Sequence, residues 1–222
     1  MENTRKVALV DLDGTYITCN SFHMWIRFML TSGTKSLPIH RALLLRLRLY
    51  LLFILRKTRA LNHSHFKRAV QMTWHKYFTA SQTKILLSEF IPSLQTKIAP
   101  YVHAELVSLK EESTIVILTT AAPEEYASKF AESSNLFLAC IATSPATSPS
   151  WHDNVSLTKR IRTLDFLGAN DLAECYLILF TDHIDDLYLI EACHEVHLLL
   201  PISENIAALS SRYSDKIFHV GY

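Results

Sequence analysis

Residues 7–15, Val-Ala-Leu-Val-Asp-Leu-Asp-Gly-Thr, constrain the fold of this chain more than any other stretch. Four consecutive apolar residues read as a strand buried on both faces, and hence as a strand of a parallel sheet. In open α/β sheets ligands bind beyond the carboxyl ends of the strands, so Asp11 and Asp13 would project into a site. Gly14 lets the backbone turn away at once. Two carboxylates one residue apart suit metal-assisted chemistry, with Asp11 as cation ligand or nucleophile and Asp13 as proton carrier. A plain Asp-Gly turn between strands is the competing reading, and the rest of the chain decides between them.

Beyond about residue 105, strand and helix patterns alternate. Strands are expected over 115–119, 138–142, 176–181 and 196–200, and helices over 123–133, 157–167 and 186–193. This order predicts an α/β fold, a doubly wound parallel sheet with helices on both faces. A length of 222 residues suits one such domain plus an insertion. Only four glycines occur in the whole chain, which excludes a glycine-rich phosphate loop or a dinucleotide fingerprint. Cysteines 19, 140, 175 and 193 show neither disulfide-framework nor zinc spacing and fit a reducing compartment. The polar start of the chain does not read as a signal peptide, so a cytoplasmic setting is expected.

Three further stretches follow the first in a telling order. Ser113 to Pro123 is a β-branched run that ends in hydroxyls, Asn154 to Ile161 carries Lys159 at the start of a helix, and Tyr176 to Asp186 is an apolar strand ending in acids. Together with Asp-Leu-Asp-Gly-Thr they resemble the four motifs of the haloacid dehalogenase (HAD) superfamily, whose members are mostly phosphatases that work through an aspartyl-phosphate. The resemblance implies that Asp11 is the nucleophile and Asp13 the general acid and then base. It implies that Thr120, with Thr119 as the alternative, and Lys159 hold the phosphoryl group; Arg160 and Arg162 stand close enough to compete with Lys159. Mg²⁺ would be held by Asp11, the Asp13 backbone carbonyl and Asp182, with Asp186 or Asp185 on the metal's waters. These roles make chemical sense, because phosphoryl transfer is catalysed mostly by positioning and positive charge, and Mg²⁺ prefers hard oxygen ligands. The fourth motif departs from the family pattern. Thr181 and His183 stand where Gly and Ser are usual, which costs backbone freedom and adds a titratable group that either tunes the pH response or faces solvent.

A formal net charge of +1 conceals a sharp split. Between Gly14 and Ser88 there are twelve lysines and arginines and no Asp or Glu. Such a segment marks a module with an anionic counterpart, a cationic lid over Asp11 and Asp13. Its position matches the helical cap of the phosphoserine-phosphatase-like HAD branch, so residues 17–104 are expected to form a helical, basic cap and residues 1–16 with 105–222 the core. Helices are expected over 21–30, 37–55, 63–78 and 81–90, with Ser21 and Ser81 as N-caps.

The run from Ala42 to Leu55 is the most hydrophobic segment, yet residues 43–55 span only about 20 Å as helix and carry Arg46 and Arg48, so they do not read as a membrane crossing. Arg41, Arg48 and Arg59 share a face, which suits an interfacial helix lying on anionic lipid at the inner membrane surface, or a packed cap helix with snorkelling arginines. Motif order and basic cap are also similar to HAD proteins of the phosphatidylglycerophosphatase type. The stretch from Gly14 to Ser88 lacks the acid with which phosphoserine phosphatases grip the substrate amine, and a lipid phosphate or other strongly anionic phosphomonoester suits it better. Two other function classes compete. One is a weakened HAD-like protein that binds a membrane or partner; the other is a nucleic-acid binder stacking bases on Trp25, Trp74, Tyr50 and Tyr77, which the leucine setting of the arginines argues against.

Overall fold

A computed structural model of the chain describes residues 5–199 and 217–220. Its strands are β1 (Lys6–Val10), β2 (Ile115–Pro123), β3 (Ala139–Thr143), β4 (Tyr176–Thr181), β5 (Glu195–Leu198) and β6 (Ile217–Val220). They form one sheet in the order β3-β2-β1-β4-β5-β6, and every pairing is parallel. Successive strands step away from β1 first to one side and then to the other. The sheet therefore has its switch point at β1, where open α/β sheets open a crevice at the strand carboxyl ends.

Side chains alternate across these strands, and each face has its own core. Ala8, Val10, Val116, Leu118, Ile178 and Phe180 belong to one buried cluster, while Val7, Leu9, Ile117, Leu177 and Leu179 belong to a second. Strands buried on both faces need continuous apolar runs, which is what the sequence supplies. Helices α7 (Ser156–Ala169) and α8 (Leu187–Ala192) cover the second face through Leu167, Leu189 and Ile190. The first face carries α5 (Pro100–Glu111) and α6 (Glu124–Ser134) through Val102, Leu106, Tyr126 and Phe130.

Four helices lie between β1 and α5: α1 (Ser21–Phe28), prolonged by a π-helical turn at Met29–Gly33, α2 (Ile39–Lys57), α3 (His63–Tyr77) and α4 (Ala80–Gln95). They share the apolar cluster of the first sheet face. Tyr126 of α6 sits against Trp25 and Phe90 at ring distances of 5.3 and 5.4 Å, and Trp25 meets Trp74 at 5.1 Å. Both tryptophans are buried and cannot stack on bases.

Several boundaries differ from expectation for local reasons. Asn20, not Ser21, caps α1, accepting from the His23 N–H at 2.9 Å. Ser21 is already helical, and its hydroxyl shares a 2.8 Å hydrogen bond with the Tyr126 hydroxyl. Thr79, not Ser81, caps α4 through a reciprocal capping box with Gln82. Strand β2 runs on to Pro123 through a register shift past Thr119. The helix expected from residue 186 starts as a 3₁₀ turn at Ile184–Asp186 before α8. Helix α5 and strand β6 were not anticipated, and Leu200, at the end of the strand expected over 196–200, lies outside the described residues.

Candidate active site

A cleft of about 240 Å³ opens at the carboxyl ends of β1 and β4 and is lined by Asp11, Asp13, Asn20, Ala121, Asn154, Lys159, Asp182, His183, Asp185 and Asp186, among others. Asp11 follows β1 directly, Asp182 follows β4, and Lys159 lies in the first turn of α7. Lys159 Nζ donates to Asp11 Oδ1 at 2.7 Å and to Asp186 Oδ2 at 2.8 Å, and its side chain is almost wholly buried. Asp13 Oδ1 accepts from the Ser21 N–H at 2.8 Å, so the start of α1 fixes the second carboxylate of the motif. Thr15 Oγ1 donates to Asp182 Oδ1 at 3.3 Å.

Gly14 earns its place twice. Its φ of +75° is a left-handed conformation, and a Cβ there would lie 2.0 Å from Asp182 Oδ2. Gly14→Ala should cost about 1–2 kcal/mol from the backbone alone and push Asp182 out of place. The expected outcome is a lower melting temperature together with lost turnover; wild-type values of both would show that Asp182 has room to move.

Electrostatics distinguish the groups. Burial pushes the Asp11 carboxyl up to about 7; Lys159 opposes this, while Asp186 and Asp13 add repulsion. Asp13 is raised as well, first by burial and then by Asp182, against its bonds to Ser21. Asp182 is raised, mainly by burial. Burial alone would lower Lys159, but the two carboxylates beside it win and hold the ammonium above its ordinary range. Lys159 is the one lysine or arginine that lines the cleft among the described residues, facing five aspartates. Such an excess of crowded carboxylate is a donor set for a hard divalent cation. No three His, Cys, Asp or Glu side chains among the described residues converge as a ready-made metal cage, and Mg²⁺ does not need one, since it keeps several waters and binds through one or two carboxylates.

The alternatives left open by the sequence are separated by geometry. Arg160 pairs with Glu191 at 3.1 Å, and Arg162 turns to the Ala142 carbonyl and to Asn154 Oδ1, so only Lys159 reaches Asp11. Thr119 Oγ1 points to the α7 side, 3.0 Å from Thr163 Oγ1. Thr120 Oγ1 accepts from the Ala122 N–H at 3.0 Å at the strand end, and its neighbour Ala121 lines the cleft. Asp186 is buried in the Lys159 network, whereas Asp185 is exposed beside His183 Nδ1 at 3.3 Å. His183 is itself mostly exposed. Thr181 is the surprise of the fourth motif: its buried hydroxyl donates to Asp186 Oδ2 at 2.8 Å, a bond that Gly could not make.

Sequence reasoning missed a polar seam between α3 and the core. Lys67 pairs with Asp153 and donates to the Ala121 carbonyl at 2.9 Å, with the lysine buried. Asp153 also accepts from Ser64 Oγ at 2.6 Å and from Thr143 Oγ1 at 3.1 Å. One turn on, Gln71 Nε2 donates to Glu125 at 2.8 Å and its Oε1 accepts from Trp151 Nε1 at 2.9 Å. Asn154 Nδ2 ties the Thr120 carbonyl to that of Ile141, at 3.0 and 2.9 Å. Ser64, Lys67 and Gln71 share one helical face, a polar stripe that could have pointed to the contact. None of the twelve basic residues between Gly14 and Ser88 lines the cleft itself, and Lys67, paired with Asp153, comes near enough to favour the ionised form of Asp13.

A family model of haloacid dehalogenase-like hydrolases matches residues 8–191. Among solved structures, the fold is similar to a protein of unknown function from Bordetella pertussis Tohama I, with 18% identity, a TM-score of 0.75, and 97% of this chain and 99% of that chain covered. It is also similar to a HAD family hydrolase from Salmonella enterica serovar Typhi, at 10% identity and TM-score 0.63, covering 99% of this chain and 69% of that one. A probable phosphoserine phosphatase from Vibrio cholerae matches at 10% identity and TM-score 0.62, covering 93% of this chain and 61% of that one. No curated protein matches the sequence. Structural likeness at such identities shows the fold, while the family match takes in Asp11, Asp13, Lys159, Asp182 and Asp186. The chain belongs to the haloacid dehalogenase-like hydrolases.

Proposed function

We propose that this hydrolase is a Mg²⁺-dependent phosphatase that cleaves a phosphomonoester through an aspartyl-phosphate on Asp11. The observation that carries the reading is Lys159 bridging Asp11 and Asp186 in a cleft otherwise crowded with carboxylate. Asp11 attacks phosphorus as the ester P–O bond breaks, and the leaving oxygen takes its proton from Asp13. A water then gives a proton to Asp13 and its oxygen to phosphorus, which releases phosphate and restores Asp11. A raised Asp13 carboxyl suits both transfers, and the Ser21 N–H keeps it aimed. Lys159 and the Thr120 hydroxyl would hold the phosphoryl oxygens. Asp11, the Asp13 carbonyl and Asp182 would hold Mg²⁺, with Asp186 behind them, and the ion would supply positive charge against the phosphoryl oxygens. Thr181, by orienting Asp186, serves this reading better than that of a weakened enzyme.

The substrate we infer is a strongly anionic phosphomonoester, a lipid phosphate included. Phosphoserine is a poorer candidate because Gly14 to Ser88 offers no carboxylate for an amine. A cytoplasmic setting accords with the four scattered cysteines. The test is a panel of lipid and soluble phosphomonoesters, each with Mg²⁺ and with EDTA. Turnover should fall about a hundredfold or more on chelation and return when Mg²⁺ is added back; a rate indifferent to EDTA overturns the metal, and silence across the panel overturns the phosphatase.

A further inference from the structure

The most conspicuous feature outside the cleft is the outer face of α2. Its inner face packs on α3: Ala42, Leu45 and Leu49 are buried, Phe53 meets Phe66 at 5.4 Å, and two arginines pin the pair. Arg41 donates to the Tyr77 carbonyl at 3.0 Å and Arg48 Nε to Thr73 Oγ1 at 2.8 Å. Of the arginines expected to face lipid, Arg41 and Arg48 are therefore engaged with protein, whereas Arg59 is exposed. What α2 turns outward is apolar. Ile39, Leu43, Leu47, Tyr50 and Ile54 recur at helical spacing and are exposed, from 40% at Ile54 to 80% at Ile39. From Ile39 to Ile54 the stripe runs about 22 Å along the helix. Proteins that stay single in water rarely leave a continuous apolar surface of this kind uncovered.

We propose that this face docks on an anionic lipid surface, with α2 lying in the plane of the interface and its leucines among the acyl chains. Charge selects the occupant. Lys35, Arg46, Lys57 and Arg59 are exposed on α2 and at its ends, and no Asp or Glu lies anywhere from Gly14 to Ser88. A second copy brought face to face would set base against base with no counter-charge, whereas lipid phosphates supply that charge beside the hydrocarbon the stripe needs. No helix among the described residues is long and apolar enough to cross a membrane, so the contact is peripheral.

The proposal is independent of catalysis and is tested without substrate, by flotation with vesicles of phosphatidylcholine containing phosphatidylglycerol and with vesicles of phosphatidylcholine alone. The protein should float with the anionic vesicles, less with the neutral ones, and less as salt rises. A triple substitution, Leu43→Gln, Leu47→Gln and Ile54→Gln, should weaken partitioning at least tenfold, about 1.4 kcal/mol, while circular dichroism and melting temperature stay as in the wild type. Lys57→Ala with Arg59→Ala should weaken it about thirtyfold on anionic vesicles and leave neutral ones unaffected. Partitioning that survives the triple substitution overturns the proposal, as does an absence of flotation. A wild-type dimer in sedimentation equilibrium that ignores vesicles and becomes monomeric in the triple variant overturns it in favour of a second copy.

Discussion

Asp11→Asn is expected to reduce phosphomonoester turnover on the order of 10⁶-fold, the scale on which loss of a nucleophile is felt in other covalent enzymes. The side chains are nearly the same size, so the cleft keeps its shape and Lys159 keeps its 2.8 Å bond to Asp186. What disappears is an oxygen able to carry the phosphoryl group, since an amide is a far weaker nucleophile than a carboxylate. Burial already holds Asp11 up to about 7 without a cation, which makes the ionised form costly there, and the neutral variant should fold without difficulty. The decisive measurement pairs kcat/KM with mass spectrometry of the quenched enzyme. The wild type should show a phosphorylated species that the variant lacks, and unchanged hydrolysis by Asp11→Asn would remove the proposed mechanism altogether.

The second large effect concerns stability. Lys67→Met strips the cation from the buried Lys67–Asp153 pair and leaves the Asp153 carboxylate with the Ser64 and Thr143 hydroxyls. Breaking a buried pair from one side costs about 3–5 kcal/mol, which for a domain of this size lowers the melting temperature by roughly 10 °C. Adding Asp153→Asn to Lys67→Met should recover part of that loss, because the uncompensated charge is then gone. A melting temperature within about 1 °C of wild type for the single variant would mean that water reaches the pair and solvates it.

The legible parts of this molecule were those written in local pattern. An apolar run with no polar break specifies a strand buried on both faces, and so β1, β2 and β4 were readable, with carboxylates following β1 and β4 and hydroxyls on β2. Lys159 was readable as the cation because it falls at a helix start, and geometry then separated it from Arg160 and Arg162. Contacts between segments distant in sequence were not readable. Lys67 and Asp153 are 86 positions apart, and nothing in either neighbourhood names the other. The arginines of α2 illustrate the same limit. Periodicity placed Arg41 and Arg48 together, but which side of the helix meets protein depends on α3, and α3 offers the Tyr77 carbonyl and the Thr73 hydroxyl. Ser21 failed as a cap for a related reason: its N–H is committed to Asp13 and its hydroxyl to Tyr126.

The single apolar cluster that runs from the first sheet face into the inserted helices has a consequence for how this protein can change. Where a lid has a core of its own, substitutions inside it can be sampled at little risk to the catalytic strands. Here Tyr126 touches Trp25 and Phe90, and Val10, one peptide bond from Asp11, lies in the same cluster as Leu45 and Trp74. Reshaping α1, α3 or α4 from within therefore disturbs the seat of the nucleophile strand. Variation is cheapest where side chains already face outward, on α2 and around the rim of the cleft. New specificities in this lineage would be expected to arise there, by altered surface recognition, while the interior is handed down nearly intact.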